Sequence, residues 1–134
     1  MTDRPPIVLD ASALLALLRE EPGADAVERV LDGSMMSCVN LAEVLQKAEQ
    51  HDVHDEGLEY DLEALGVEFA PFDTPAARST AELWRSGSGL SLGDRACLAL
   101  AASIDGVALT ADQRWVDDGL DVQVELIRES KESE

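Results

Sequence analysis

Short apolar runs alternate with stretches of helical period along this chain, and that alternation predicts its elements. Ile7-Val8-Leu9 is a continuous apolar run behind two prolines, the pattern of a buried parallel strand, and Asp10 ends it. Residues 11–18 read as a helix capped by Asp10 or Ser12. Glu21-Pro22-Gly23 interrupts it before a second helix of about ten residues through Val30 and Leu31. Asp32-Gly33 marks a turn and Met35 to Val39 a second strand. Asn40 to Gln50 follows as a helix with Leu41, Val44, Leu45 and Ala48 on one face.

The segment from His51 to Leu65 is expected to be helical after a polar start, and Gly66 ends it. Val67 to Pro71 alternates and terminates in proline, which places it at a sheet edge. Thr74-Pro75 opens a helix carrying Ala77, Ala81, Leu83 and Trp84, and Ser86 to Gly89 is a flexible loop. Ser91 then caps a helix containing Leu92, Ala96, Ala99 and Leu100, which Asp105-Gly106 breaks. Val107 to Leu109 is a buried strand, and Val122 to Ile127 is the last one.

Strands separated by helical crossovers imply a mostly parallel sheet covered on both faces, a three-layer α/β sandwich. Residues 1–128 read as a single domain without internal repeats, and the charged stretch 129–134 as a disordered tail.

Composition narrows what such a domain can do. With 46% hydrophobic and only 4% aromatic residues, the core must be built from Leu, Val and Ala. No apolar run approaches the roughly 18 residues of a membrane span, and the N-terminus lacks a signal-peptide pattern, so the expectation is a soluble, cytoplasmic protein with no membrane partner. Cys38 and Cys97 lie far apart inside apolar segments and read as small buried hydrophobes rather than as a disulfide or a zinc knuckle. The net charge of −18, from 28 acids against 10 basic residues, argues against broad electrostatic attraction to nucleic acid. Any nucleic-acid chemistry must therefore be local and cation-assisted.

Four of those acids sit where chemistry is expected. Asp10 follows the first strand, Glu43 and Asp94 lie in the first turns of helices, and Asp112 follows the strand at Val107. In a parallel sheet all of these positions fall on one edge. Taken singly, each acid also reads as a helix cap: Asn40-x-x-Glu43 and Ser91-x-x-Asp94 both fit a capping box, and Asp10 fits an ordinary N-cap. Taken together, four converging carboxylates would repel unless a cation lay between them. A hard divalent cation with oxygen ligands, Mg²⁺ or Mn²⁺, is the natural occupant, because no His or Cys is placed to select zinc. A cation held in this way suits phosphodiester hydrolysis.

The motifs carrying these acids resemble a known family. Val8-Leu9-Asp10-x-Ser12-Ala-Leu-Leu, Val39-Asn40-Leu-Ala-Glu43-Val, Leu90-Ser-Leu-Gly-Asp94-Arg-Ala-Cys-Leu-Ala-Leu-Ala and Leu109-Thr110-Ala-Asp112-x-x-Trp115 resemble, in order and spacing, the four signature blocks of the PIN-domain ribonucleases of the VapC toxin type. The resemblance implies a metal-dependent endoribonuclease toxin acting on RNA, with Asp10, Glu43, Asp94 and Asp112 as catalytic and metal-binding acids. It further implies Ser12 and Thr110 as supporting residues, Asn40 as a helix cap beside the site, a homodimer, and inhibition by a cognate antitoxin whose tail occupies the acidic crevice.

Other residues compete with the quartet for a role. Asp117 is an extra acid near the site, but neighbouring Asp118 favours a solvated loop; His51 and His54 lack a third ligand. Arg95 and Arg114 either touch RNA phosphate or pair with the carboxylates. Trp84 and Trp115 read as core or dimer-interface anchors rather than stacking platforms, and the run Leu14, Leu15, Leu17, Leu18 exceeds one core face, which suggests an oligomer or antitoxin contact. The competing function classes are a phosphoryl-transfer or receiver-like domain with Asp10 as nucleophile, and a non-catalytic partner-binding module. The first wants a second acid next to Asp10 and a nearby lysine, and the second an incomplete quartet.

Overall fold

Strand β1, Ile7–Leu9, runs through the middle of the sheet with both faces covered. The computed structural model describes residues 4–51, 53, 55–117 and 121–128, without the side chains of 116 and 117. The described residues form helices α1 (Ala11–Leu18), α2 (Ala24–Val30), α3 (Cys38–Gln50), α4 (Leu58–Ala64), α5 (Thr74–Glu82) and α6 (Leu92–Ser103). They also form strands β2 (Met35–Ser37), β3 (Glu68–Ala70), β4 (Val107–Thr110) and β5 (Gln123–Leu126), with a 3₁₀ turn at Gln113–Asp117. The sheet order is β3-β2-β1-β4-β5, and each neighbouring pair is parallel.

Alternation along the strands builds the two hydrophobic layers. Leu9, Met36 and Leu109 point to one face and pack with Leu14, Val27, Val44 and Leu62 from α1, α2, α3 and α4. Val8 and Ala108 point to the other and pack with Cys97, Leu98 and Ala101 of α6 and with Trp115. The result is the expected three-layer α/β sandwich.

The chain winds outward from β1 through β2 to β3, then returns to the opposite side of β1 with β4 and β5. This reversal opens a crevice at the carboxyl ends of β1 and β4, the usual ligand position in an open parallel sheet. Register aligns the two ends: Leu9 pairs with Leu109, and the Asp10 N–H donates to the Leu109 carbonyl at 3.2 Å.

Several boundaries differ from the expected ones for local reasons. β2 stops at Ser37 rather than Val39, because the Ser37 hydroxyl accepts the Val39 N–H at 3.2 Å and starts α3 there. The helix expected from His51 to Leu65 is shorter: α3 ends at Gln50 with His51 as its C-cap, and α4 starts only after Gly57, whose φ of 73° breaks the chain direction. α5 ends at Glu82, and Trp84 lies beyond it at 60% exposure, so Trp84 is no core residue, whereas Trp115 is buried. Cys97 is fully buried as expected, but Cys38 is only half-buried. Leu14 and Leu15 enter the core, while Leu17 and Leu18 are half-buried at its margin. His54, Asp118, the Asp117 side chain and the tail 129–134 lie outside the described residues.

Candidate functional site

Asp10 leaves β1 as the N-cap of α1, and nearly every lone pair it has is spoken for. Its Oδ1 accepts the Ala13 N–H at 2.8 Å, the Ser12 hydroxyl donates to both oxygens at 2.8 and 2.9 Å, and the Thr110 hydroxyl donates to Oδ2 at 2.6 Å. Each hydroxyl oxygen in turn accepts a backbone N–H from the exit of β4: Ser12 from Ala111 at 2.9 Å and Thr110 from Asp112 at 3.0 Å. Two hydroxyls thus bolt the segment carrying Asp112 to the carboxylate of Asp10. Burial pushes the Asp10 carboxyl up to about 6; the donors from Thr110, Ala13 and Ser12 oppose that rise, and the charge of Asp94 adds to it.

Glu43 lies on α3 and Asp94 on α6. The Asn40 amide donates to Glu43 Oε1 at 2.9 Å and to the Gly93 carbonyl at 3.1 Å, linking the two helices. Asn40 is therefore not the helix cap, a role Ser37 fills; it is a fully buried clamp in the first turn of α3. Gly93 is required here by close approach, since a Cβ at this position would stand 2.5 Å from Glu43 Oε2. Asp94 closes a capping box: its Oδ2 accepts the Ser91 N–H at 2.9 Å, and the Ser91 hydroxyl accepts the Asp94 N–H at 3.1 Å. Capping and lining the crevice are compatible roles for this residue, and the same holds for Asp10.

Asp112 is held on the opposite flank. The Arg114 guanidinium engages both of its oxygens and keeps its carboxyl below the usual carboxylate range. Arg95 goes elsewhere: its guanidinium donates to the Thr80 carbonyl at 3.2 Å and ties α6 to α5, so it neither pairs with the acids nor faces the crevice.

Asp10, Glu43, Asp94 and Asp112 line one crevice of about 410 Å³ together with Ser12 and Asn40. The structure therefore brings the four acids to a common cavity, with Thr110 directly beneath. Among the described residues two cations share its wall, Arg114 and Lys47. The motifs do not single out Lys47, although its position one turn past Glu43 on the same helix is a readable signal. A second cavity, about 260 Å³ between α5 and α6, has Asp73 as its only ionisable lining residue among the described residues and offers no comparable charge chemistry.

The donor set suits a hard divalent cation. All four acids present oxygen, and the fully buried Cys97 thiol is pushed well up by burial and then by Asp10, Asp94 and Glu43, so it offers no thiolate. Among the described residues no three acids, histidines or cysteines stand close enough to form a closed metal-ligating group. The acids ring the crevice rather than converge on a point.

The sequence profile of the PIN domain matches residues 7–118. The chain belongs to the PIN-domain family. Solved structures agree with this membership at the level of fold. The PIN domain superposes on a toxin–antitoxin complex from Klebsiella pneumoniae with a TM-score of 0.74 at 19% identity, over 92% of this chain and 99% of that one. DNA-bound VapBC from Salmonella typhimurium gives 0.68 at 21% identity, over 92% and 98%. VapBC-5 from Mycobacterium tuberculosis gives 0.57 at 28% identity, over 93% and 100%. No curated protein matches the chain.

Proposed function

We propose that this PIN domain is a metal-dependent endoribonuclease that hydrolyses RNA phosphodiester bonds, and that it serves as the toxin of a toxin–antitoxin pair. The observation that carries the reading is the shared crevice of Asp10, Glu43, Asp94 and Asp112 at the reversal point of the sheet. These four would hold Mg²⁺ or Mn²⁺, which when bound lowers the pKa of a water and neutralises charge on the scissile phosphate. The chain's own residues prepare the place. Ser12 and Thr110 fix Asp10 and the segment bearing Asp112, and Asn40 orients Glu43 over Gly93. Burial that raises Asp10 toward 6 leaves a carboxylate better satisfied by a cation than by solvent.

Family membership supports nuclease chemistry, and complexes of the superposed proteins with antitoxins support an antitoxin partner. An acidic crevice is the natural seat for an arginine-bearing segment of such a partner. A homodimer in the cytoplasm completes the proposal; no described helix is long and apolar enough to cross a membrane. The receiver-like alternative loses ground because Ala11, and not a second acid, follows Asp10. The test is cleavage of single-stranded RNA by the purified chain with Mn²⁺ or Mg²⁺. Activity that needs the ion and vanishes in Asp94→Asn is expected; cleavage that survives chelator or this substitution refutes the reading.

A further inference from the structure

Arg114 is two residues past Asp112 in the 3₁₀ turn, and although its side chain is 70% exposed it turns onto the crevice. Its Nε stands 2.9 Å from Asp112 Oδ1 and 3.2 Å from Oδ2, its Nη2 2.5 Å from Oδ2, and its backbone N–H donates to Oδ1 at 3.0 Å. One residue thereby occupies both oxygens of an acid that the metal-site reading needs as a ligand. The charge of Asp94 acts on the guanidinium as well. In a chain with 28 acids and 10 basic residues, a cation placed on this wall is a specific investment of charge.

An exposed ion pair is weak enough for a divalent cation to displace. A guanidinium freed at the rim of the crevice is also the side chain best shaped to take two oxygens of a phosphate. We propose that Arg114 is a phosphate-positioning residue parked on Asp112, released when a divalent cation takes that carboxylate. The inference rests on the metal-site reading given above.

The experiment is titration of Mn²⁺ into the full chain by calorimetry, with Arg114→Gln, Arg114→Lys, and Arg78→Gln on the exposed face of α5 as a control for net charge. Each protein, loaded with Mn²⁺, is then tested for binding of a short single-stranded DNA across salt concentrations. Parking predicts that Arg114→Gln and Arg114→Lys both bind Mn²⁺ about two- to fivefold tighter than the parent, since lysine keeps the charge but lacks the fork, while Arg78→Gln is unchanged. Positioning predicts that Arg114→Gln lowers the salt slope of DNA binding by about 0.7, the loss of one phosphate contact.

Equal Mn²⁺ affinity in all variants means a rim salt bridge only and overturns the proposal. Tightening in Arg114→Gln but not in Arg114→Lys, or equally in Arg78→Gln, means a field effect only and overturns it too, as does an unchanged salt slope. Absence of Mn²⁺ binding in every protein overturns the metal site itself, a result distinct from these.

Discussion

The hydroxyl of Thr110 donates to Oδ2 of Asp10 at 2.6 Å across 100 positions of sequence. The contact exists because β1 and β4 are parallel neighbours in register at Leu9 and Leu109, so the residues that follow each strand emerge side by side. The Thr110 hydroxyl oxygen in turn accepts the Asp112 N–H, so one side chain joins two of the four acids. It is the hinge on which the site's geometry turns.

Replacing that side chain by an isostere without the hydroxyl isolates its contribution. Thr110→Val removes a bond to a buried carboxylate and leaves the Asp112 N–H unpaired. The expected loss is about 2 kcal/mol of unfolding free energy, measured by denaturant titration in chelator. An unchanged midpoint would mean that Asp10 is held adequately by Ser12 and Ala13 alone.

The titration of Asp10 should show in the pH dependence of stability. Its carboxyl lies at about 6 in the folded chain against 3.8 when unperturbed. The folded state therefore binds the proton more tightly, and the stabilisation present below pH 3.8 is lost as pH rises through about 6. The whole span corresponds to about 3 kcal/mol as an upper figure. Unfolding free energies in chelator from pH 4 to 7, parent against Asp10→Asn, isolate this component from the repulsion of the remaining acids. The parent should lose stability over this window relative to the variant; parallel curves would contradict the burial of a titrating carboxylate.

Much of this was readable from the chain, and the parts that were not share a physical cause. Asp10 and Asp112 were legible because each directly follows a short apolar run, and in a parallel sheet that places both at one edge. Asp94 was legible as a cap, and the capping box is present. Asn40 was misplaced because Val39 extends the apolar run of β2, and because Ser37 and Asn40 are both good N-cap residues; tertiary packing against Gly93 selects between them. The helix expected from His51 to Leu65 shrank to α4 because Gly57 breaks it with a positive φ. Which arginine meets which acid was beyond sequence reasoning, since Arg95 and Arg114 each adjoin an acid and only the helix pairing of α5 with α6 turns Arg95 away.

Gly93 provides a test of Glu43. A methyl group at Gly93 would meet the Glu43 carboxylate at 2.5–2.7 Å and push it off the crevice wall. Because the group that must move is the end of a flexible side chain, and alanine favours the helix by about 1 kcal/mol over glycine, overall stability should change little. Mn²⁺ affinity of Gly93→Ala should fall about tenfold, the scale of disturbing a ligand's support. Retention of full affinity would remove Glu43 from the ligand set.

The central claim is that carboxylates drawn from distant parts of the chain line one crevice that takes a divalent cation, and thermal melting with and without Mn²⁺ reads it most directly. The parent should melt at a higher temperature with the ion, and Asp94→Asn, whose amide oxygen can still accept the Ser91 N–H, should lose that rise while keeping its stability in chelator, because one repelling charge has gone. If Asp94→Asn instead loses about 1 kcal/mol in chelator and neither protein responds to Mn²⁺, Asp94 is a helix cap and no more, and the metal-site account is wrong.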